Sequence, residues 1–233
     1  MERLALARQA VGKKRVAVAP TVVAHEDIRR FAARVLGDIG HADVAQELVN
    51  ALGSGDADLR LAAADSLSRI GALLAPLPSA VTETLLTVLP TAGRDMKLLL
   101  IRALAASKGE SAGDMLKTQL ADSDSFVRTE AVRSLFKLGR VGPEVEAMLD
   151  DPDSTTRLIA AEAVAGTGGA DAVGRMVDFS FAFGGCHGRE IARLLRDMDA
   201  TAASAAFADV LRDPDRKQLW SVAIAALEEL NRP

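Results

Sequence analysis

The residues most suited to chemistry lie in one short stretch. Phe179-Ser180-Phe181-Ala182-Phe183-Gly184-Gly185-Cys186-His187-Gly188 holds the single cysteine of the chain and one of its three histidines. A thiol beside an imidazole is the residue pair of nucleophilic catalysis. Neighbours in sequence seldom point at each other, however, and no third orienting group accompanies them. The reading taken is a thiol packed into an irregular junction. The rings at 179, 181 and 183 alternate with a period of two. Either a helix ends near Phe179 and the other rings plug the junction, or a local break presents them as anchors to a partner. In a third arrangement Phe179, Phe181, Phe183, Cys186 and His187 line a local pocket.

Other candidates are weaker. Asp-rich turns recur at Ser54-Gly55-Asp56-Ala57-Asp58, Asp122-Ser123-Asp124-Ser125, Asp150-Asp151-Pro152-Asp153 and Arg212-Asp213-Pro214-Asp215. Carboxylates so close could hold a cation, but no Glu or His stands at ligand spacing, so capping of the following helix is expected and no metal site. Gly166-Thr167-Gly168-Gly169 looks like a phosphate loop, yet a dinucleotide fingerprint follows a strand and opens a helix. This one follows a helical pattern and reads as a helix–helix loop. His41 follows Gly40 and is expected at an exposed helix junction. No catalytic residue and no cofactor are assigned.

Composition narrows the classes further. The chain has 28 Lys and Arg against 32 Asp and Glu, is 49% hydrophobic and only 3% aromatic. That apolar content suits a folded chain, and its Ala, Leu and Val suit closely packed helices. One cysteine excludes a disulfide framework or a multi-cysteine metal centre held by this chain alone. A net charge of −4 gives no electrostatic case for duplex nucleic acid. No stretch reaches the roughly 18 apolar residues of a membrane span, and the start lacks the apolar run of a signal peptide. A cytoplasmic location is expected.

The elements that position these residues are repeated. A basic residue recurs at Arg29, Arg60, Lys97, Arg128 and Arg157, at spacings of 31, 37, 31 and 29. Three places later stand Ala32, Ala63, Leu100, Ala131 and Ala160. Seven places later stand Leu36, Leu67, Leu104, Leu135 and Val164. Offsets of three and seven mark one helical face. Gly40, Gly71, Gly139 and Gly168 are expected to stop their helices in the left-handed conformation. A second apolar stripe follows each first helix, as at Val44, Leu48 and Leu52. Asp56, Asp124 and Asp153 each precede the ladder arginine by four places, where a carboxylate can cap the helix. The arginine stems are expected to run along the buried face, with guanidinium groups on turn carbonyls or the neighbouring Asp. An insertion around Leu74-Ala75-Pro76-Leu77-Pro78 lengthens one connection.

This pattern resembles the HEAT-like repeats first recognised in phycobilisome lyases, with Leu59 to Gly71 nearest the consensus. The resemblance implies an all-α fold, a right-handed α-α superhelix (HEAT-like solenoid) of about six to seven helix pairs. Residues 1–24 are expected as an N-terminal cap or incomplete first repeat and 25–233 as the solenoid. In such solenoids the second helices line the concave side. Outward positions there are Gln46, Asn50, Glu83, Thr87, Asp114, Thr118, Asp178 and Asp209, a polar to acidic row suited to a basic segment of another protein. The implied function is a non-catalytic scaffold or accessory subunit. A lyase-like or chromophore-handling factor with a pocket near Cys186 is the alternative. A nucleic-acid binder like the HEAT-like alkylpurine DNA glycosylases is disfavoured by the acidic row. His25-Glu26 is similar to the His-Glu pairs of deoxyhypusine hydroxylases, but one pair cannot build their di-iron centre.

Overall fold

The structure, a computed structural model, describes residues 25–73, 76–107, 109–168 and 170–232, without the side chains of residues 42, 170 and 184–186. The expected cap over residues 1–24 lies outside this range. Among the described residues every regular element is helical. They form two compact units, one ending at Arg140 and the other starting at Val141.

In the first unit, helices α1 (His25–Ile39), α3 (Ala57–Leu73), α5 (Arg94–Leu104) and α7 (Ser125–Lys137) carry the basic ladder. Between them run α2 (Ala45–Leu52), α4 (Ser79–Val88) and α6 (Glu110–Gln119). Successive first helices pack on one another, as do successive second helices. Leu36, Leu67, Leu104 and Leu135, the plus-seven residues, are fully buried, as are Ala63 and Ala131 at plus three. Burial of one such leucine contributes roughly 1.5–3 kcal/mol. Alanine at plus three keeps the helices close. Ser66 Oγ donates to Ala33 O at 2.9 Å and Ser134 Oγ to Ile101 O at 3.4 Å, each bond crossing to the preceding repeat.

The glycines divide into two kinds. Gly40, Gly139 and Gly168 have φ of 65°, 68° and 69° and end their helices as expected. Gly71 does not, because α3 continues to Leu73. It is buried, and a Cβ there would stand 2.9 Å from Ala106 Cβ, so its role is close approach of neighbouring repeats.

In the second unit, α8 (Pro143–Glu146) continues into a 3₁₀ turn to Asp150. Then come α9 (Ser154–Ala165), α10 (Ala170–Arg212), a 3₁₀ segment (Pro214–Leu219) and α11 (Trp220–Leu230). Helix α10 is broken by non-helical backbone at His187 and Asp199 into three segments. Its first segment runs through Phe179, Phe181 and Phe183, so the expectation that a helix ends near Phe179 does not hold. The core holds Val164, Met176, Phe179, Ile191, Leu195 and Phe207, with Trp220 packed against it. Trp220 Nε1 donates to Val210 O at 3.1 Å and Asp213 O at 3.3 Å, which fixes the ring as packing.

Candidate interaction surface

The repeat builds one local device three times. In the turn before α3, the Asp56 N–H donates to Ser54 Oγ at 3.2 Å and the Asp58 N–H to Asp56 Oδ1 at 3.0 Å. Arg60 Nη1 then reaches back to Ser54 O at 2.7 Å. Before α7 the Asp124 N–H donates to Asp122 Oδ1, the Phe126 N–H to Asp124 Oδ1, and Arg128 Nη1 to Asp122 O, at 2.9, 2.8 and 2.9 Å. Before α9 the same roles fall to Asp151, Asp153 and Arg157, with the Thr156 N–H donating to Asp153 Oδ2 at 2.8 Å and Arg157 Nη1 to Asp151 O at 2.7 Å. The carboxylates satisfy free N–H groups at the helix start, and the guanidinium satisfies a turn carbonyl. Lys97, the one lysine of the ladder, instead meets the Asp122 carboxylate at 2.6 Å.

Capping oxygens also clamp neighbouring repeats. Arg30 donates from Nε and Nη2 to the two Asp56 oxygens, both at 2.9 Å. Arg94 Nε meets Asp124 Oδ2 at 2.8 Å, and Arg102 forks onto the buried Glu130 at 3.0 and 3.1 Å. The hydrogen bond from Arg30, opposed by desolvation and helped by the Leu59 and Asp58 amides, holds the Asp56 carboxyl below its ordinary range. For Asp122, burial works against ionisation. The Lys97 hydrogen bond, the Asp124 amide and the charges of Lys97 and Arg128 outweigh it and hold the group low. Arg30, Arg94 and Glu130 escaped the sequence reading. The signal was present, since Arg30 and Arg94 precede their Asp partners by 26 and 30 places, close to one repeat.

With these charges engaged in the turns, the second helices of the first unit present a different face. Gln46, Asn50, Glu83, Thr87, Asp114 and Thr118 are all exposed. Helices α2, α4 and α6 together carry Glu47, Glu83, Glu110 and Asp114 against the single cation Lys117. The first helices α1, α3, α5 and α7 carry 11 Lys and Arg against 7 Asp and Glu.

Asp178 and Asp209 are exposed on α10 in the second unit. Asp178 joins the aromatic segment: with Glu146, Leu149, Asp150, Arg175, Phe179 and Phe183 it lines a pocket of about 300 Å³. Phe179 is buried and its ring centroid lies 5.3 Å from that of Phe183. Phe181 packs edge-on to Phe207 at 5.5 Å. The Arg157 guanidinium sits 4.4 Å over Phe183, and Arg216 5.6 Å over Phe181. The rings therefore belong to the core margin, with cations stacked on the half-buried pair. His187 sits at the first break of α10, half-buried, and its Nε2 has no hydrogen-bond partner. The Cys186 side chain lies outside the described residues. A second pocket, about 320 Å³, follows that break and is lined by Ser180, Gly188, Ile191, Leu195, Val222 and Ala226 among others. His41 is exposed, with Nδ1 3.2 Å from Asp43. Among the described residues no cluster of three His, Cys, Asp or Glu is placed to hold a metal, and no helix is long and apolar enough to cross a membrane.

Residues 23–91 match the family of HEAT repeats. None of the curated proteins compared matches the chain. Among solved structures, an engineered protein shares 20% identity over 99% of this chain and 96% of its own, with a TM-score of 0.51. A second engineered protein shares 20% identity over 99% of this chain and 68% of its own, with a TM-score of 0.52. At this identity both show the fold alone. The complex of CpcE and CpcF of phycocyanin lyase from Nostoc sp. PCC7120 is a looser likeness, at 18% identity over 96% and 82% and a TM-score of 0.47, and carries no argument. The sequence match to HEAT repeats over residues 23–91 thus sits on helix pairs whose capped turn recurs from Ser54 to Arg157.

Proposed function

We propose that this protein is a non-catalytic scaffold or accessory subunit that binds a basic segment of another protein along its second helices. The supporting observation is the exposed row on α2, α4 and α6. It offers amides, hydroxyls and carboxylates with one lysine among them. Such a surface steers a cationic segment and repels a polyanion. The ladder cations, by contrast, are spent inside the turns. The test is cross-linking of the purified protein in lysate, followed by titration of the captured partner's basic segment into wild type and into Glu83→Lys/Asp114→Lys. Each exposed charge pair is worth about 0.2–1 kcal/mol, so losing two should weaken binding roughly 2- to 30-fold, less so at high salt. Unchanged affinity sinks the assignment of the face.

One observation favours a second reading. The pockets of about 300 and 320 Å³ flank the segment holding Phe179, Phe183 and Gly188. A cofactor- or chromophore-handling role would use them with Cys186. A Cys186 inert to thiol reagents in the native protein excludes that role.

A further inference from the structure

One buried hydroxyl in the second unit has no partner. Ser180, on the first segment of α10, is 4% exposed. Among the described residues its hydroxyl makes no hydrogen bond. Ser66, Thr82, Ser107, Ser134 and Thr156 are buried alike, and each hydroxyl finds an oxygen 2.9–3.4 Å away. A helical serine or threonine ordinarily faces solvent or bonds a carbonyl one turn back, as Thr84 and Thr87 bond Ala80 O and Glu83 O at 3.1 and 3.0 Å. Ser180 does neither and lines the pocket of about 320 Å³ between α10 and α11. The walls are apolar, with Ile191 and Leu195 from the next segment of α10 and Val222 and Ala226 from α11. Gly188 also lines it, 31 places after Arg157, where the ladder would put another arginine. A Cβ there would meet nothing within 4 Å, so the space beside it is open.

We infer that this pocket binds a small, neutral, largely apolar molecule that carries one hydrogen-bonding group for Ser180. A buried hydroxyl left unpaired destabilises the fold, and a ligand group that meets it removes the penalty. A single water does not account for the space, since one molecule takes about 30 Å³. The volume lies at the small end of ligand sites, roughly 300–1,000 Å³, and suits a single ring or a short chain. Charge selects a neutral ligand. At the rim the exposed Arg189 is offset by the exposed Glu228, and Glu229 already meets Arg232 at 2.8 Å. The pocket is one of the two in the second reading above, but the inference needs no Cys186. A Cys186 inert to thiol reagents ends that reading and leaves this one standing.

Two probes that differ by a hydroxyl against a methyl, 4-propylphenol and 4-propyltoluene, test it. Each is titrated into the full chain while backbone amide resonances are followed by NMR. The phenol should give saturable shifts at residues 188–195 and 221–229 and none on α2, α4 or α6. Ser180→Ala should weaken the phenol roughly 2- to 10-fold, the worth of one hydrogen bond, and leave the hydrocarbon within about twofold. Equal weakening of both probes makes Ser180 a wall residue only and overturns the inference, as does an unchanged phenol affinity. A wild type without saturable phenol shifts at residues 188–195 and 221–229 overturns it as well, and this result decides even if the variant fails to fold.

Discussion

Replacing Gly37 by alanine tests the stacking directly. Glycine inside a helix normally costs about 1 kcal/mol relative to alanine, so at an open site Gly37→Ala would stabilise. Gly37 is not open. Its Cβ would fall 2.5 Å from Ser66 Oγ, 2.6 Å from Ser66 Cβ and 2.8 Å from Ser66 Cα. Ser66 Cβ and Cα are fixed by the backbone, so no rotamer relieves them. Restoring an ordinary carbon–carbon separation of about 3.5 Å from the 2.6 Å at Cβ requires α1 and α3 to part by roughly 0.9 Å, which forfeits a quarter to a half of each neighbouring dispersion contact. Overpacking of this kind costs about 1–3 kcal/mol. The Ser66-to-Ala33 hydrogen bond, 2.9 Å long, adds about 1 kcal/mol when it breaks. Less the helical gain of alanine, the expected net destabilisation is about 1–3 kcal/mol. Urea titration followed by helical circular dichroism reads it as a lower midpoint. Gly37→Ala/Ser66→Gly should recover part of the loss, since Oγ and Cβ vanish but Cα stays. A midpoint that rises in Gly37→Ala refutes the close-approach reasoning.

Arg128→Met keeps most of the buried stem but removes the donor to Asp122 O and Ser123 O, at 2.9 and 3.2 Å; a loss of about 1–3 kcal/mol is expected by the same titration. The first unit should lose stability in acid. Asp56 and Asp122 have folded-state pKa values below the ordinary 3.8. Their contribution is complete above that value and disappears as pH falls through the depressed ones. Asp122→Asn should flatten this decline in a pH series of urea midpoints, and an unchanged slope contradicts the assignment. Phe179→Ala removes a buried ring and should cost about 3–5 kcal/mol in thermal or urea unfolding. A mild cost joined to lost partner binding would instead make Phe179 an anchor.

The parts of the fold legible in sequence are those fixed by near neighbours. The ladder, the caps and the apolar offsets all act within a few residues, so spacing alone locates them. Gly71 was misread because it shares its sequence context with Gly40, while its role is set by Ala106 in the next repeat. The aromatic segment misled for another reason. Phe179 and Phe183 stand four apart and share a helical face, but Phe181 between them gives the look of a strand-like alternation. Only the meeting of Phe181 with Phe207 distinguishes the two. The cross-repeat clamps from Arg30 and Arg94 needed the repeat length as a ruler. The exposed row on α2, α4 and α6 was readable because second-helix burial follows the same period.

The capped turn has a further consequence for how the chain folds and could be rebuilt. Its bonds span two to six residues, as from Arg60 to Ser54 and from Arg128 to Asp122. Contacts so short in sequence close small loops at low entropic cost and form early. Each turn therefore forms from its own residues, while Arg30, Lys97 and Arg94 of the preceding repeat then tie it to its neighbour. A repeat excised from one aspartate turn to the next should be a transplantable cassette: duplicating residues 122–150 would lengthen the array with the turn's own bonds in place at both ends, the cross-repeat contacts from Arg94 and Lys97 being left to the original copy.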